Sequence, residues 1–445
     1  MIGWRGSTIP PSPPFNLSFP LSPNLESLDT ETKTKIERKR KSFRMISETE
    51  ARDKILSALR PLPPRNMSIF DALDHFAAAD YFARLPLPMF DNSAMDGYAV
   101  ITSDCPPGRI RPAADKRGAR LRVIGEQPAG VDRKLRAAKG EAVRIFTGAP
   151  MPAGADAVVM QEDVTREGDE IVVNVDVDPG EFVRTRGCDL SEGQKIIGQG
   201  ERLNATKIGL LASQGFGEVN VGSEVRAAII STGDELAKPG EKLQPGQIYD
   251  SNLPLLQSLV RQFGAAVALA EHCRDNSESL RKTLQAAAQN DVLIVTGGVS
   301  VGEHDLVQQT LRDLGAKIDI WRVAIKPGKP FLFGQLGNCF VFGLPGNPVS
   351  AFVTCLQFVR PAMLKMMGAV DLDLPRVPAK LTVELTNESE RAHYVRGRLE
   401  NGNFAPVCRQ ESHALFGLSQ SNALLRIESG ELLKAGAIVS VEVWS

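Results

Sequence analysis

From Pro330 to Val359 no residue carries a charge, yet Gly334, Gly337, Gly343, Gly346, Pro345 and Pro348 interrupt the stretch too often for a membrane-spanning helix. It reads as a buried strand, a tight LPGNPVS turn and a helix whose free N–H groups face outward. Just before it, KPGKP sets Lys326 and Lys329 on either side of a rigid Pro-Gly pair. A surface lysine pair is the bland explanation. The uncharged segment that follows favours a pocket for a small, multiply charged oxyanion, with Ser350 as a hydroxyl donor or as plain helix N-terminal chemistry.

Upstream, apolar strands alternate with helical patterns: VRAAIIST, LPLLQSLVRQF closing at Gly264, AAVALAEH, SESLRKTLQAAAQ, DVLIVTGG, DLVQQTLRDL closing at Gly315, and KIDIWRVAI. This rhythm predicts a mostly parallel sheet with helices on both faces, a three-layer α/β/α domain over residues 224–372. Ligands of such sheets sit beyond the carboxyl ends of the strands. Residues 45–94 and 186–223 read as a discontinuous helical linking domain, with helices over 46–59 and, N-capped by Ser68, over 68–83. Its third helix, near 202–216, is expected to pack beside the first ones. Short alternating strands make 95–185 an inserted β-rich domain, and 373–445 reads as a small β-barrel.

The chain has 445 residues, for which the length prior is about three domains, and a formal net charge of -1, so no global field draws it to nucleic acid or anionic lipid. The six cysteines are scattered without a Cys-x-x-Cys, and the five histidines lack paired spacing. That pattern argues against a disulfide framework and structural zinc, and it suits a reducing cytoplasm. Residues 1–44 are Pro/Ser-rich and then charge-rich, which predicts a disordered tail; Glu26, Asp29, Glu31 and Glu37 disfavour a transit peptide. Met45 is as plausible a start as Met1.

Four loops follow or flank the strands: STGDEL, TGGVSVGEHD, AIKPGKP and LPGNPVS. Gly297, Gly298 and Gly302 let backbone amides approach a phosphate, with Ser300 among them. Neither common nucleotide-binding glycine fingerprint occurs. Glu235, Asp275 and Asp305 stand after three separate strands and could hold Mg²⁺ against a pyrophosphate. Each acid alone is as well explained by a helix cap, and only the set shifts the balance. Asp96 and Thr147 offer a carboxylate and a hydroxyl on loops of the insertion, where turn chemistry is an equal explanation.

The blocks DNSAMDGYAV, RIFTGAPMPAGADAV, GQIYDSN, TGGVSVGEHD, AIKPGKPFLFG and FGLPGNPVSAF together resemble the signatures of molybdopterin molybdenumtransferases, the MoeA and gephyrin E-domain family. The resemblance implies an elongated homodimer with the active site between the α/β domain of one subunit and the β-rich insertion of the other. It implies insertion of molybdate into adenylylated molybdopterin, with Mg²⁺ assisting and AMP released. Matching positions make Asp96, Thr147, Glu235, Asp305 and Lys326 catalytic, and place Gly297, Gly298, Ser300, Gly302, Arg184, Lys329, Pro330, Ser350 and Arg396 on substrate. Asp189 is a further candidate, and Glu235, Asp275 and Asp305 are the metal ligands. Contacts with a molybdopterin adenylyltransferase and with molybdoenzyme acceptors are implied partners. Two positions depart from the pattern: Arg322 stands at a usual lysine, and Gly417 at a usual serine. A gephyrin-like scaffold and an adenylyltransferase are the competing functions; the acid and lysine set argues against the first, and the insertion and barrel against the second.

Overall fold

The computed structural model describes residues 45–105, 118–298 and 306–444. Its centre is a six-stranded sheet built from β1 (Arg226–Thr232), β2 (Ala266–Cys273), β3 (Val292–Thr296), β4 (Lys317–Arg322), β5 (Pro330–Leu336) and β6 (Cys339–Leu344), in the order β2-β1-β3-β6-β5-β4. The pairings from β2 to β6 are parallel. At the other edge the sheet turns antiparallel, because Pro330–Leu344 is a hairpin closed at Gly337, where the sequence alone reads as a single buried strand. Two adjacent strands joined by a tight turn can only run antiparallel.

The strands are apolar throughout because both of their faces are buried. Ala227, Ile229, Val292, Ile294, Phe342 and Leu344 enter one core with Leu256, Leu259 and Val260 of α1 (Asn252–Gln262). Their alternating neighbours Ala228, Ile230, Leu293, Val295 and Val341 enter a second core, with Leu280 and Leu284 of α2 (Ser277–Ala287) and Val307 and Leu311 of α3 (Leu306–Asp313). Period-2 side-chain alternation thus feeds two cores from one sheet. After β6 the LPGNP turn leads into α4 (Pro348–Thr354), which belongs to the first core.

The insertion forms a six-stranded sheet in which Gly97–Val100 lies between Glu141–Ile145 and Ala157–Met160. In the linking region Ala205–Ser213 is helical, capped by the Asn204 side chain. The helix expected over 68–83 is a single 3-10 turn, Ile69–Asp71. Ile69, Ala72, Ala77 and Tyr81 are buried together as that pattern required, but through bridges and short strands: Ala77 pairs with Val221, and Tyr81–Phe82 with Lys195–Ile197. The first helix, Glu48–Ala58, also departs from expectation. Its Ala51 and Ile55 pack into the α/β core, Lys365 Nζ donates to the Leu56 carbonyl at 2.7 Å, and the helix packs against Arg360–Met366.

The C-terminal region is a closed five-stranded barrel, so the whole is a multidomain mixed α/β molecule. Its strand Ala392–Glu400 also pairs, in parallel, with Ile325–Lys326 of the α/β domain. The barrel is thereby docked at the lysine loop. Among the described residues no helix is long and apolar enough to cross a membrane.

Candidate functional site

Because β1, β2, β3 and β6 run parallel, the loops at their carboxyl ends open on the same side. They line a cleft of about 860 Å³ that includes Glu235, Asp275, Gly297, Gly298, Lys326, Lys329, Pro330 and Ser350. All of these are residues singled out from the sequence. The barrel supplies the facing wall with Arg391, Gln410, Glu411, Ser412, His413 and Leu415.

The acidic side is held by the sheet. Thr232, the last residue of β1, donates its hydroxyl to the Asp275 carboxylate, and the Asp275 amide donates to Asp234 Oδ1 at 3.2 Å. Glu235 and Asp275 are both exposed to the cleft side of the molecule. Gly297 has φ +86°, and a Cβ there would stand against the Thr232 carbonyl oxygen well inside contact distance. Only glycine lets this turn follow β3 so closely past β1.

The basic side is made by docking. Lys326 and Lys329 are exposed, while the Arg391 guanidinium donates to the Ile325 carbonyl at 3.0 Å and so sits beside the lysine strand. Asn347 donates to Ser412 Oγ at 2.8 Å, and the Val349 amide donates to the Ser412 carbonyl at 3.1 Å. These contacts pin the start of α4, with the buried Ser350, against the barrel loop. His393 pairs in register with Lys326. Its pKa is pushed down to about 4 by burial and then by Lys326, Arg396 and Arg391. A neutral imidazole among three cations marks a region whose field favours an anion.

Several sequence candidates lie elsewhere. Asp96 and Thr147 form a unit in the insertion: the Thr147 amide and hydroxyl donate to Asp96 Oδ1 at 2.7 and 2.8 Å. Those bonds hold the exposed Asp96 carboxyl below its ordinary range, with the backbone bond as the largest cause. Neither residue lines the cleft of its own chain, nor do the exposed Arg184 and Asp189. Arg396 is also not on the cleft surface. It is 1% exposed inside the barrel and donates to the carbonyls of Arg409 and Glu411, so it supports the loop that carries Ser412. Arg322 and Gly417 do not line the cleft either, and the barrel residue that brings a serine hydroxyl to it is Ser412. Ser300, Gly302 and Asp305 lie outside the described residues.

Sequence reasoning did not single out Arg391, Ser412, Asp250 or Asn252. The last two sit in the quoted GQIYDSN block, and their burial at 3% and 8% exposed is what marks them. Arg391 lies five residues before Arg396 in the same strand region, a near neighbour that pattern alone did not separate.

Comparison with known proteins agrees with this layout. Residues 46–215 match the MoeA N-terminal region (domain I and II), 228–365 a probable molybdopterin binding domain, and 378–444 the MoeA C-terminal region (domain IV). The molybdopterin molybdenumtransferase of Haemophilus influenzae is 36% identical over 409 residues, covering 89% of this chain and 98% of that one. That of a Nostoc species is 39% identical over 357 residues, covering 78% and 81%. A crystal structure of the molybdopterin biosynthesis MoeA protein from Pyrococcus horikoshii superposes with a TM-score of 0.74 at 31% identity, covering 90% of this chain and all of that one. The chain belongs to the molybdopterin molybdenumtransferase family.

Proposed function

We propose that this chain is a molybdopterin molybdenumtransferase of molybdenum cofactor biosynthesis, inserting molybdate into adenylylated molybdopterin and releasing AMP. The observation that carries the reading is a single cleft with a cationic, hydroxyl-bearing wall (Lys326, Lys329, Arg391, Ser350, Ser412) and an acidic one (Glu235, Asp275). Molybdate is a tetrahedral dianion, and ammonium, guanidinium and hydroxyl donors are the groups that hold such an ion. The depressed pKa of His393 supports the same charge assignment.

Magnesium typically takes one or two carboxylates, keeps several waters and shares substrate phosphates. Glu235 and Asp275 suit that kind of site, with Asp305 as a further ligand by family resemblance. Bound there, Mg²⁺ supplies charge neutralisation at the phosphoanhydride. The protein's own groups do the rest: Thr232 orients the Asp275 carboxylate, Gly297 and Gly298 bring backbone close to the phosphates, and Lys326 and Lys329 hold the oxyanion. Water attack on the anhydride leaves AMP and the molybdopterin phosphate, while molybdate oxygen leaves as water, taking the protons of the two dithiolene thiols as their sulfurs bind molybdenum.

The Asp96–Thr147 unit has no place in the cleft of its own chain, and that supports the homodimeric reading in which a second copy brings it to the site. Cytoplasmic location, and hand-over from a molybdopterin adenylyltransferase and to molybdoenzyme acceptors, complete the proposal. AMP release from adenylylated molybdopterin, followed with and without molybdate, tests it: the wild type releases AMP and Lys326→Ala does so at a small fraction of that rate. Equal release by both proteins would overturn the assignment.

A further inference from the structure

One part of the cleft wall carries unbonded acceptors. Asp250 and Asn252 are 3% and 8% exposed, and both belong to the cleft wall. Asp250 Oδ1 accepts the Leu253 amide at 3.0 Å, which fixes the carboxylate at the start of α1. Its Oδ2 has no hydrogen-bonding partner in the protein. Asn252 Nδ2 donates to Thr296 Oγ1 at 2.9 Å and to the Gly346 carbonyl at 2.7 Å. A carbonyl can only accept, so the amide orientation is set, and it leaves Asn252 Oδ1 likewise without a partner. Two buried acceptors two residues apart, neither bonded within the protein, are costly unless water or a ligand brings donors to them, and a ligand that fills the cleft must replace that water with donors of its own. Beside them the two-residue strands Leu236–Ala237 and Ile248–Tyr249 pair in parallel, with Ile248 58% and Tyr249 46% exposed along the same wall.

An apolar and aromatic flap next to two orphaned acceptors fits a flat heterocycle that presents two adjacent donors. Resting on the molybdopterin reading above, we infer that Asp250 and Asn252 recognise the 2-amino and N3–H edge of the pterin ring, with Tyr249 and Ile248 against its face. The adenine of an adenylylated substrate fits worse, since its pairing edge offers one donor and one acceptor. This assigns the pterin to Asp250 and Asn252 and leaves the lysines to molybdate.

The test uses the full chain and free ligands. Binding of 6-hydroxymethylpterin is followed by its own fluorescence, beside lumazine, which has an oxo group in place of the 2-amino group, and AMP. The wild type should prefer the pterin over lumazine by about tenfold or more, the scale on which sites that bond a polar edge reject an analogue lacking it. Asp250→Asn, which keeps shape but loses charge and one acceptor, should abolish that preference while calorimetric molybdate binding and AMP binding stay as in the wild type. Equal affinity of the wild type for pterin and lumazine, no pterin binding at millimolar concentration, or a loss confined to AMP would each overturn the inference. The AMP-release assay judges the proposed reaction separately. Should Asp250→Asn fail to fold, Tyr249→Ala, on the exposed flap, should weaken pterin binding without affecting molybdate.

Discussion

At the scale of single residues, charge placed on loops is what the account depends on. Lys326 is exposed at the end of a two-residue strand, so its truncation removes a site charge and no core contact. Lys326→Ala should lower turnover by roughly a hundredfold or more, with unfolding unchanged and molybdate binding weakened in calorimetry. Gly297→Ala should do the opposite kind of damage, because its φ and the Thr232 carbonyl both exclude a Cβ; a clear drop in melting temperature, with activity lost alongside, is the expected result. His393 gives a pH signature. Its folded-state pKa of about 4 lies below the unfolded value, so the unfolded chain takes up protons first as pH falls. Stability contributed by the neutral ring is therefore present above pH 6.5, is lost between about 6.5 and 4, and is flat below that. Allowing for screening at a partly exposed ring, the loss is roughly 1–2 kcal/mol, and denaturant titrations of His393→Gln should lack that slope. Lys326, Lys329, Glu235 and Asp275 were legible in the sequence because each follows or precedes a recognisable strand. Ser412 was not, since its place in the cleft depends on tertiary contacts such as its bond to Asn347, 65 residues away.

At the scale of elements, local pattern succeeded where helices and strands are covered on known faces and failed where apolar spacing has two solutions. The positions Ile69, Ala72, Phe76 and Ala77 suit a helical stripe, but backbone bridges to Arg202 and Val221 claim Phe76 and Ala77. Spacing cannot show a partner strand more than a hundred residues away. The first helix illustrates the same limit. Its amphipathic pattern was readable, whereas its Ser47 cap was not singled out and its seat was hidden: Glu48 accepts from the Tyr394 hydroxyl and from Arg426 Nε at 2.9 Å, which ties the helix to the barrel. Tyr394 is 2% exposed, and burial, with Glu48 nearby, raises its pKa well above the usual tyrosine value. Tyr394→Phe removes one of two donors to the part-buried Glu48 carboxylate and should cost about 1 kcal/mol in chemical denaturation. An unchanged midpoint would show that the helix is held by its apolar face alone.

At the scale of the whole molecule, one chain brings Glu235, Asp275, Lys326, Lys329, Asp250 and Asn252 to one cleft, but holds Asp96 and Thr147 on loops beside the separate sheet of the insertion. If a second copy supplies them, Asp96→Asn and Lys326→Ala are each inactive alone, and their heterodimer has one site with both lesions and one with neither. Isolated by two tags, that heterodimer should regain about half of the wild-type rate by closed twofold symmetry. Activity no higher than that of the parents, with both folded and dimeric, would place each site within a single chain. The most direct test of the account is to incubate the purified chain with adenylylated molybdopterin, Mg²⁺ and molybdate, and to measure both AMP released and molybdenum bound to the pterin product. The account predicts that the two rise together in a one-to-one ratio. AMP release with no molybdenum in the product, or no release at all, would contradict it.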